Sequence, residues 1–366
     1  MVRTAQAVLL IAVVIISAEL TARVDDKVRR GISVFSQPSW DVTLMRRDST
    51  LLTGRPHARK GAIRLNAYGF RGPDLRDPLP PGCVRIMAIG ASETFDENGR
   101  VEDYPRLLEN QLRDHGCFEV LNAAIVGQAL PRLQHTWEHH ASRVAPSIVI
   151  IYPTPSFYLR DVPPAYPTDV LHDPPTRPWW HPRVLVWLEE STLGWPQVVR
   201  THLLRRELSA AADTGGPGWV YSELPLDRLA VYERQLDSIA TAVAQRNAIP
   251  VLVTHATRFD RPPAKADLDI LDAFRHNSGQ RATRDVILAF EDSAAAATRR
   301  LAARRGYPLV DAAAKMNGRG ELFSDFMHFT PAGGHTMARL LAAKVLEIVR
   351  ERSFPQPPGV SARGAK

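Results

Sequence analysis

Near the end of the chain the stretch DFMHFTPAGGH sets Asp325 three residues before His328, and far upstream IMAIGASETFD places Ser92 directly after an apolar run. A hydroxyl, an imidazole and a carboxylate are the parts that nucleophilic acyl transfer needs. The imidazole takes the hydroxyl proton, and the carboxylate fixes the tautomer and stabilises the imidazolium that forms. Each part also has a plainer use. A Ser at a strand end is commonly a helix N-cap, and an Asp-x-x-His pair is commonly a cap or loop polarity. Position within the fold decides between the two uses.

The elements around these residues alternate. VRIMAIG reads as a strand, YPRLLENQLRDH as a helix, FEVLNAA as a strand, LPRLQHTWEHHASRV as a helix and SIVIIY as a strand. After a long excursion come a helix over LDRLAVYERQLDSIATAVAQRN, the strand IPVLVTHAT, a helix near ILAFEDSAAAATRRLAARRG, the short strand YPLVDAA and a closing helix over TMARLLAAKVLEIV. Continuous Val/Ile runs suit parallel strands covered on both faces. Five such strands with helical crossovers predict an α/β fold: a flavodoxin-like three-layer α/β/α sandwich on a five-stranded parallel sheet of order 2-1-3-4-5. In that arrangement Ser92 ends the first strand and Asp325 and His328 occupy the last loop, both at the sheet edge where such folds build sites.

With these residues placed, the chain resembles the SGNH (GDSL-type) hydrolases over roughly 84–349, and membrane-tethered bacterial members in particular. Gly90-Ala91-Ser92 stands where the family's Gly-Asp-Ser block falls, and Asn122 and Gly127 match its second block. Asp325, His328, Thr330, Pro331 and Gly333 match its last. The resemblance implies an SGNH hydrolase fold and a Ser92, His328 and Asp325 triad for ester hydrolysis. One block departs. Where the family carries Gly-x-Asn-Asp, whose Asn helps bind the oxyanion, this chain has Pro153-Thr154-Pro155-Ser156. The oxyanion hole then falls to the backbone N–H groups of Ser92 and Gly127, with Thr154 or Ser156 as substitutes. Loss of one donor costs about 100- to 1000-fold in rate, so slow catalysis and a non-catalytic relative both stay open.

Ahead of the domain, 25–80 reads as a connector ending in the proline-rich RDPLPPG, which no helix crosses. Within it NAYGFRG (Asn66, Gly69, Phe70, Arg71, Gly72) is similar to an element of the family's tethered members. Its readings are a glycine turn with Phe70 packed on the domain, or an Arg71 that binds substrate. At the N-terminus, 1–24 holds an apolar run from Ala5 to Ala18 with only Gln6 interrupting, followed by Glu19. It is shorter than the roughly 20 residues that span a bilayer comfortably. A signal-anchor is the preferred reading, with a cleaved signal peptide or a buried helix as alternatives.

Positive flanks (Arg3 before; Arg23, Lys27, Arg29 and Arg30 after) favour keeping the domain inside. The cysteines argue for export. Cys83 and Cys117 each precede one of two neighbouring parallel strands, about 4.8 Å apart, so a disulfide is geometrically reasonable. It would close a loop of about 34 residues worth roughly 3.5–4 kcal/mol and would need an oxidising compartment such as a periplasm. Two unpaired thiols is the alternative.

The 366 residues suit one catalytic domain (81–350) with an N-terminal extension. A net charge of +7 comes from scattered Arg, without the basic stripe that nucleic-acid binding needs. No cofactor or metal is implied: His135, His139 and His140 lie on a helix without a Cys or carboxylate pattern. The insertion 153–225 is rich in Pro and carries Trp179, Trp180, Trp187, Trp195 and Trp219. These rings suit sugar stacking, a membrane interface or a satellite core. The tail 351–366 is proline-rich and basic and reads as disordered. The expected partners are an acylated small molecule or polysaccharide, and a membrane through the N-terminal segment. Esterase, polysaccharide O-acyltransferase or deacylase, and binding protein are the functional readings, in that order.

Overall fold

The computed structural model describes residues 2–30, 34–35, 44–48, 51–60, 62–96, 102–160, 182–184, 220–278 and 280–352. Five strands form the central sheet: β1 (Val84–Gly90), β2 (Phe118–Asn122), β3 (Ile148–Tyr152), β4 (Ile249–Val253) and β5 (Leu309–Val310). Their order across the sheet is β2-β1-β3-β4-β5, and each neighbouring pair is parallel. β1 to β4 are buried along their whole length. The pleat sends alternate residues to opposite faces, and each face has its own core.

On one face Ile86, Ala88, Val120, Ile150 and Val251 pack with α3 (Tyr104–Leu112) and α9 (Pro331–Glu351). On the other, Met87, Ile89, Leu121, Val149 and Leu252 pack with α4 (Leu130–His139), α5 (Leu226–Ala244) and α7 (Arg284–Arg305). The short helices α2 (Ser92–Phe95), α6 (Leu268–Asn277) and α8 (Ala312–Met316) complete the domain.

The lower end of the sheet is tied covalently. Val84 pairs with Phe118 and Arg85 with Glu119, and one step earlier Cys83 and Cys117 are joined as a disulfide, their Cα atoms 4.5 Å apart. Beside it the buried Arg85 bonds Glu119 at 2.5 Å and the Val144 carbonyl at 2.7 Å.

The connector is more structured than the sequence suggested. It contains two antiparallel pairs, Met45–Asp48 with Leu51–Gly54 and Arg59–Lys60 with Ile63–Arg64. Strands of two to four residues carry too little periodicity to read. Phe70 sinks into the core beside α4, as the packing reading anticipated.

The N-terminal segment is α1 (Val2–Arg30), 29 residues long. Its apolar run is cut by Glu19, which bonds Arg23 at 2.6 Å and accepts from the Val184 N–H at 3.1 Å. Among the described residues no helix is long and apolar enough to cross a membrane. The expected spanning anchor thus has no support from α1. It is not a buried helix either, because Leu9, Leu10, Val14 and Ile15 are each 60% exposed or more. Trp179, Trp180, Trp187, Trp195 and Trp219, most of the 153–225 insertion and the tail from 353 lie outside the described residues.

Candidate active site

β1 delivers Ser92 to the carboxyl edge of the sheet. Gly90 permits the turn that follows: a Cβ there would lie 2.3 Å from Thr94 Oγ1 and 2.9 Å from the Tyr152 carbonyl. Ala91 then caps α2, whose first residue is Ser92, 5% exposed. The remaining parts come from the loop before α9. That loop is closed on itself, since Ser324 N–H donates to the His328 carbonyl at 2.8 Å and Thr330 caps α9 by accepting from Gly333 N–H at 3.2 Å.

The three side chains meet in one hydrogen-bonded line. The Ser92 hydroxyl lies 2.9 Å from His328 Nε2, and His328 Nδ1 lies 2.7 Å from Asp325 Oδ2. Asp325 Oδ1 accepts from the N–H groups of Met327 (3.0 Å) and His328 (2.9 Å), which folds the carboxylate back onto its own loop. Burial alone would raise the Asp325 pKa. The hydrogen bond and charge of His328, with the two backbone donors, outweigh it and hold the carboxyl below the usual range. Ser92 and His328 share a cleft with Tyr104, Phe329, Asp96 and Glu102.

The second-block residues hold the nucleophile turn. After β2 the chain stays paired to β1, Ala123 N–H donating to the Ala88 carbonyl at 2.9 Å and Ile125 N–H to Gly90 at 3.2 Å. Asn122 donates to the Thr94 carbonyl at 2.7 Å and accepts from Ala124 N–H at 3.2 Å, so its amide braces α2. Gly127 follows in this segment at φ +74°, a conformation that favours glycine.

Arg71 is also spent on the turn. Its guanidinium donates to the carbonyls of Phe95 and Asp96, the C-terminal end of α2, and bonds Asp103 at 2.9 Å. It is 6% exposed, which corrects the substrate-binding reading of this residue. Burial pushes the Asp103 carboxyl up, with the Arg71 charge opposing.

Thr154 and Ser156 sit elsewhere than expected. The Thr154 hydroxyl donates to Glu93 Oε1 at 2.9 Å, beneath the nucleophile. Ser156 is fully buried, its N–H donating to Glu291 Oε1 at 3.1 Å and its hydroxyl without a partner. The Thr154 hydroxyl and the Ser156 N–H are both engaged by interior carboxylates and Ser156 is wholly buried, which corrects both from oxyanion donors to interior residues.

They belong to a polar cluster that sequence reasoning missed. His255, just beyond β4, places Nδ1 2.7 Å from Glu291 Oε2 and Nε2 3.1 Å from Glu93 Oε1. Both carboxylates and the ring are essentially inaccessible to solvent. Burial disfavours the imidazolium, but the charge and hydrogen bond of Glu291 and then those of Glu93 prevail, raising the His255 pKa to about 10. The Glu93 carboxyl is also opposed by burial, yet the hydrogen bond and charge of His255 keep it below its ordinary value. At neutral pH His255 is therefore a buried imidazolium held between Glu291 and the Glu93 carboxylate. Among the described residues no group of three His, Cys, Asp or Glu side chains is placed to hold a metal ion.

No family model matches the chain, and no curated protein matches it. Similar solved structures include a catalytic mutant of the acetylxylan esterase Axe2 from Geobacillus stearothermophilus, 15% identical, covering 73% of this chain and 95% of that one at a TM-score of 0.43. A lipase/acylhydrolase from Enterococcus faecalis is 12% identical, covering 72% and 96% at 0.42. An alpha/beta hydrolase from the metagenome of Lake Arreo is 16% identical, covering 73% and 96% at 0.43. These overlays are loose and the identities low; the chemistry is read from the site itself.

Proposed function

We propose that this protein is a serine esterase of the SGNH type, hydrolysing carboxylic esters through Ser92, His328 and Asp325. The observation that carries the reading is the unbroken line from the Asp325 carboxylate through His328 to the Ser92 hydroxyl. His328 Nε2 takes the Ser92 proton as Oγ bonds to the ester carbon and the carbonyl π electrons move to oxygen. Collapse of the tetrahedral adduct expels the alcohol, which receives the proton from His328. Water, deprotonated by the same ring, then releases the acid and restores the serine. Backbone N–H groups of Ser92 and Gly127 are the oxyanion donors in this mechanism. Having only backbone donors, the site works more slowly than one with a third.

The cleft supports a neutral, hydroxyl-rich substrate such as an acylated carbohydrate. Phe329 offers an apolar face, while Asp96 and Glu102 offer acceptors to hydroxyls and repel anionic esters. The Cys83–Cys117 disulfide supports a domain that works outside the reducing cytoplasm. The exposed apolar side chains of α1 support attachment to a lipid surface, which co-sedimentation with phospholipid vesicles checks: full-length protein pellets with them and a chain starting at residue 31 does not.

A fluorophosphonate probe tests the catalytic reading without a guess at substrate. Wild-type protein is expected to label and Ser92→Ala to remain blank, with p-nitrophenyl acetate hydrolysis following the same pattern. A folded wild type that neither labels nor hydrolyses would sink the proposal.

A further inference from the structure

Glu93 directly follows the nucleophile and has no part in the acyl-transfer steps above. Its two carboxylate oxygens are used differently. Oε1 accepts from Thr154 Oγ1 and from His255 Nε2, at 2.9 and 3.1 Å. Oε2 is thereby turned toward Ser92 Oγ, 3.4 Å away. The serine oxygen thus stands between two proton acceptors, His328 Nε2 at 2.9 Å and Glu93 Oε2.

A hydroxyl has one proton to give. While His328 is neutral, that proton goes to Nε2. Once Nε2 carries its own proton and donates to Oγ, the serine proton has a second acceptor in Glu93. We propose that Glu93 is a positioning residue for the triad, a second carboxylate that stabilises the His328 imidazolium from the Nε2 side while His255 and Glu291 hold it charged and in place. The proposal rests on the esterase reading for its kinetic consequences, though not for the coupling itself.

The geometry gives the reason. The serine contacts of 3.4 and 2.9 Å keep Glu93 Oε2 no more than about 6.3 Å from His328 Nε2, near enough for the two charges to interact and for the carboxylate to favour the protonated ring. A lone buried carboxylate would be neutralised by protonation. His255 prevents this, and Glu291 on α7 keeps His255 charged from its other nitrogen.

Other groups around Glu93 do not supply a competing charge switch. Tyr104 from α3 and Tyr152 from β3 are buried phenols whose pKa values burial raises, so they stay neutral. Arg160, beyond the turn that follows β3, is drawn to Glu93 electrostatically but is held down by burial. On the His328 side Asp325 is the hydrogen-bonded carboxylate, and Asp96, paired with Arg71, and Glu102 line the same cleft; none of them is altered by the variants used below.

The test is a titration of His328 in full-length protein by histidine-selective ¹⁵N NMR, with the pH profile of p-nitrophenyl acetate hydrolysis beside it. Glu93→Gln is expected to lower the His328 pKa by roughly one unit and move the acid limb of kcat/KM down equally. Loss of kcat should be about 10- to 100-fold with KM little changed. Should Glu93→Gln fail to fold, Thr154→Val removes one donor to Oε1, and a smaller shift in the same direction is expected. An unchanged His328 titration in the folded variant overturns the proposal, even if activity falls. Failure of the wild type to label with fluorophosphonate strikes the esterase reading instead and leaves the NMR result to decide the coupling.

Discussion

At the scale of single residues the site divides into the Ser92–His328–Asp325 line and the buried polar cluster beneath it. Ser92→Ala should abolish hydrolysis. Asp325→Asn should keep the fold and lower kcat by about 10³- to 10⁴-fold, because the imidazole then adopts the wrong tautomer; steady-state kinetics with a melting curve separates the two effects. His255 gives a stability prediction of definite sign. Its folded pKa, about 10, lies above the unfolded value, so its contribution is full below about pH 6.5, erodes as pH rises and is gone beyond about pH 10. Wild-type melting temperature should therefore fall across that window, and His255→Gln should flatten the fall. The triad was legible in the sequence because Asp325 and His328 lie in one motif and Ser92 ends an apolar strand. The Glu93–His255–Glu291 row was not, since its contacts join residues 162 and 36 positions apart on separate elements. The available signals were weak ones: a histidine at the end of a buried strand and a glutamate on the apolar face of an Ala-rich helix.

At the scale of elements, the sheet and its covering helices were legible because their apolar runs are long and their period is distinct. The connector was not, because its strands are short and its role is made by one guanidinium. Arg71 reaches from the chain before the sheet to grip the C-terminal carbonyls of α2 and the Asp103 carboxylate. Asp103 in turn caps α3, accepting from Arg106 N–H at 3.1 Å. Arg71→Ala should then act twice. It leaves a buried carboxylate without its partner, costing about 3–5 kcal/mol, and it loosens the turn that carries Ser92. Chemical denaturation should show the first effect. A fall in fluorophosphonate labelling rate under conditions where the variant is still folded should show the second.

For the whole molecule, the disulfide and the strand order matter most. Reduction of Cys83–Cys117, or the Cys83→Ala/Cys117→Ala pair, should lower unfolding free energy by roughly 3–4 kcal/mol from the loop of 34 residues that it closes. Activity measured well below the melting temperature should survive, because the bridge lies at the end of the sheet opposite Ser92. The strand order has a different consequence. Ser92 and His328, in contact at 2.9 Å, are separated by 236 positions, with β1 second from one edge of the sheet and β5 at the other edge. Closing so large a loop is slow and comes with the non-local contacts of the finished sheet. The nucleophile therefore cannot be awakened in a nascent or half-folded chain. During refolding, fluorophosphonate reactivity should return only with the last major folding phase, so that on the proposed reading the chain stays inert toward esters until its architecture is complete.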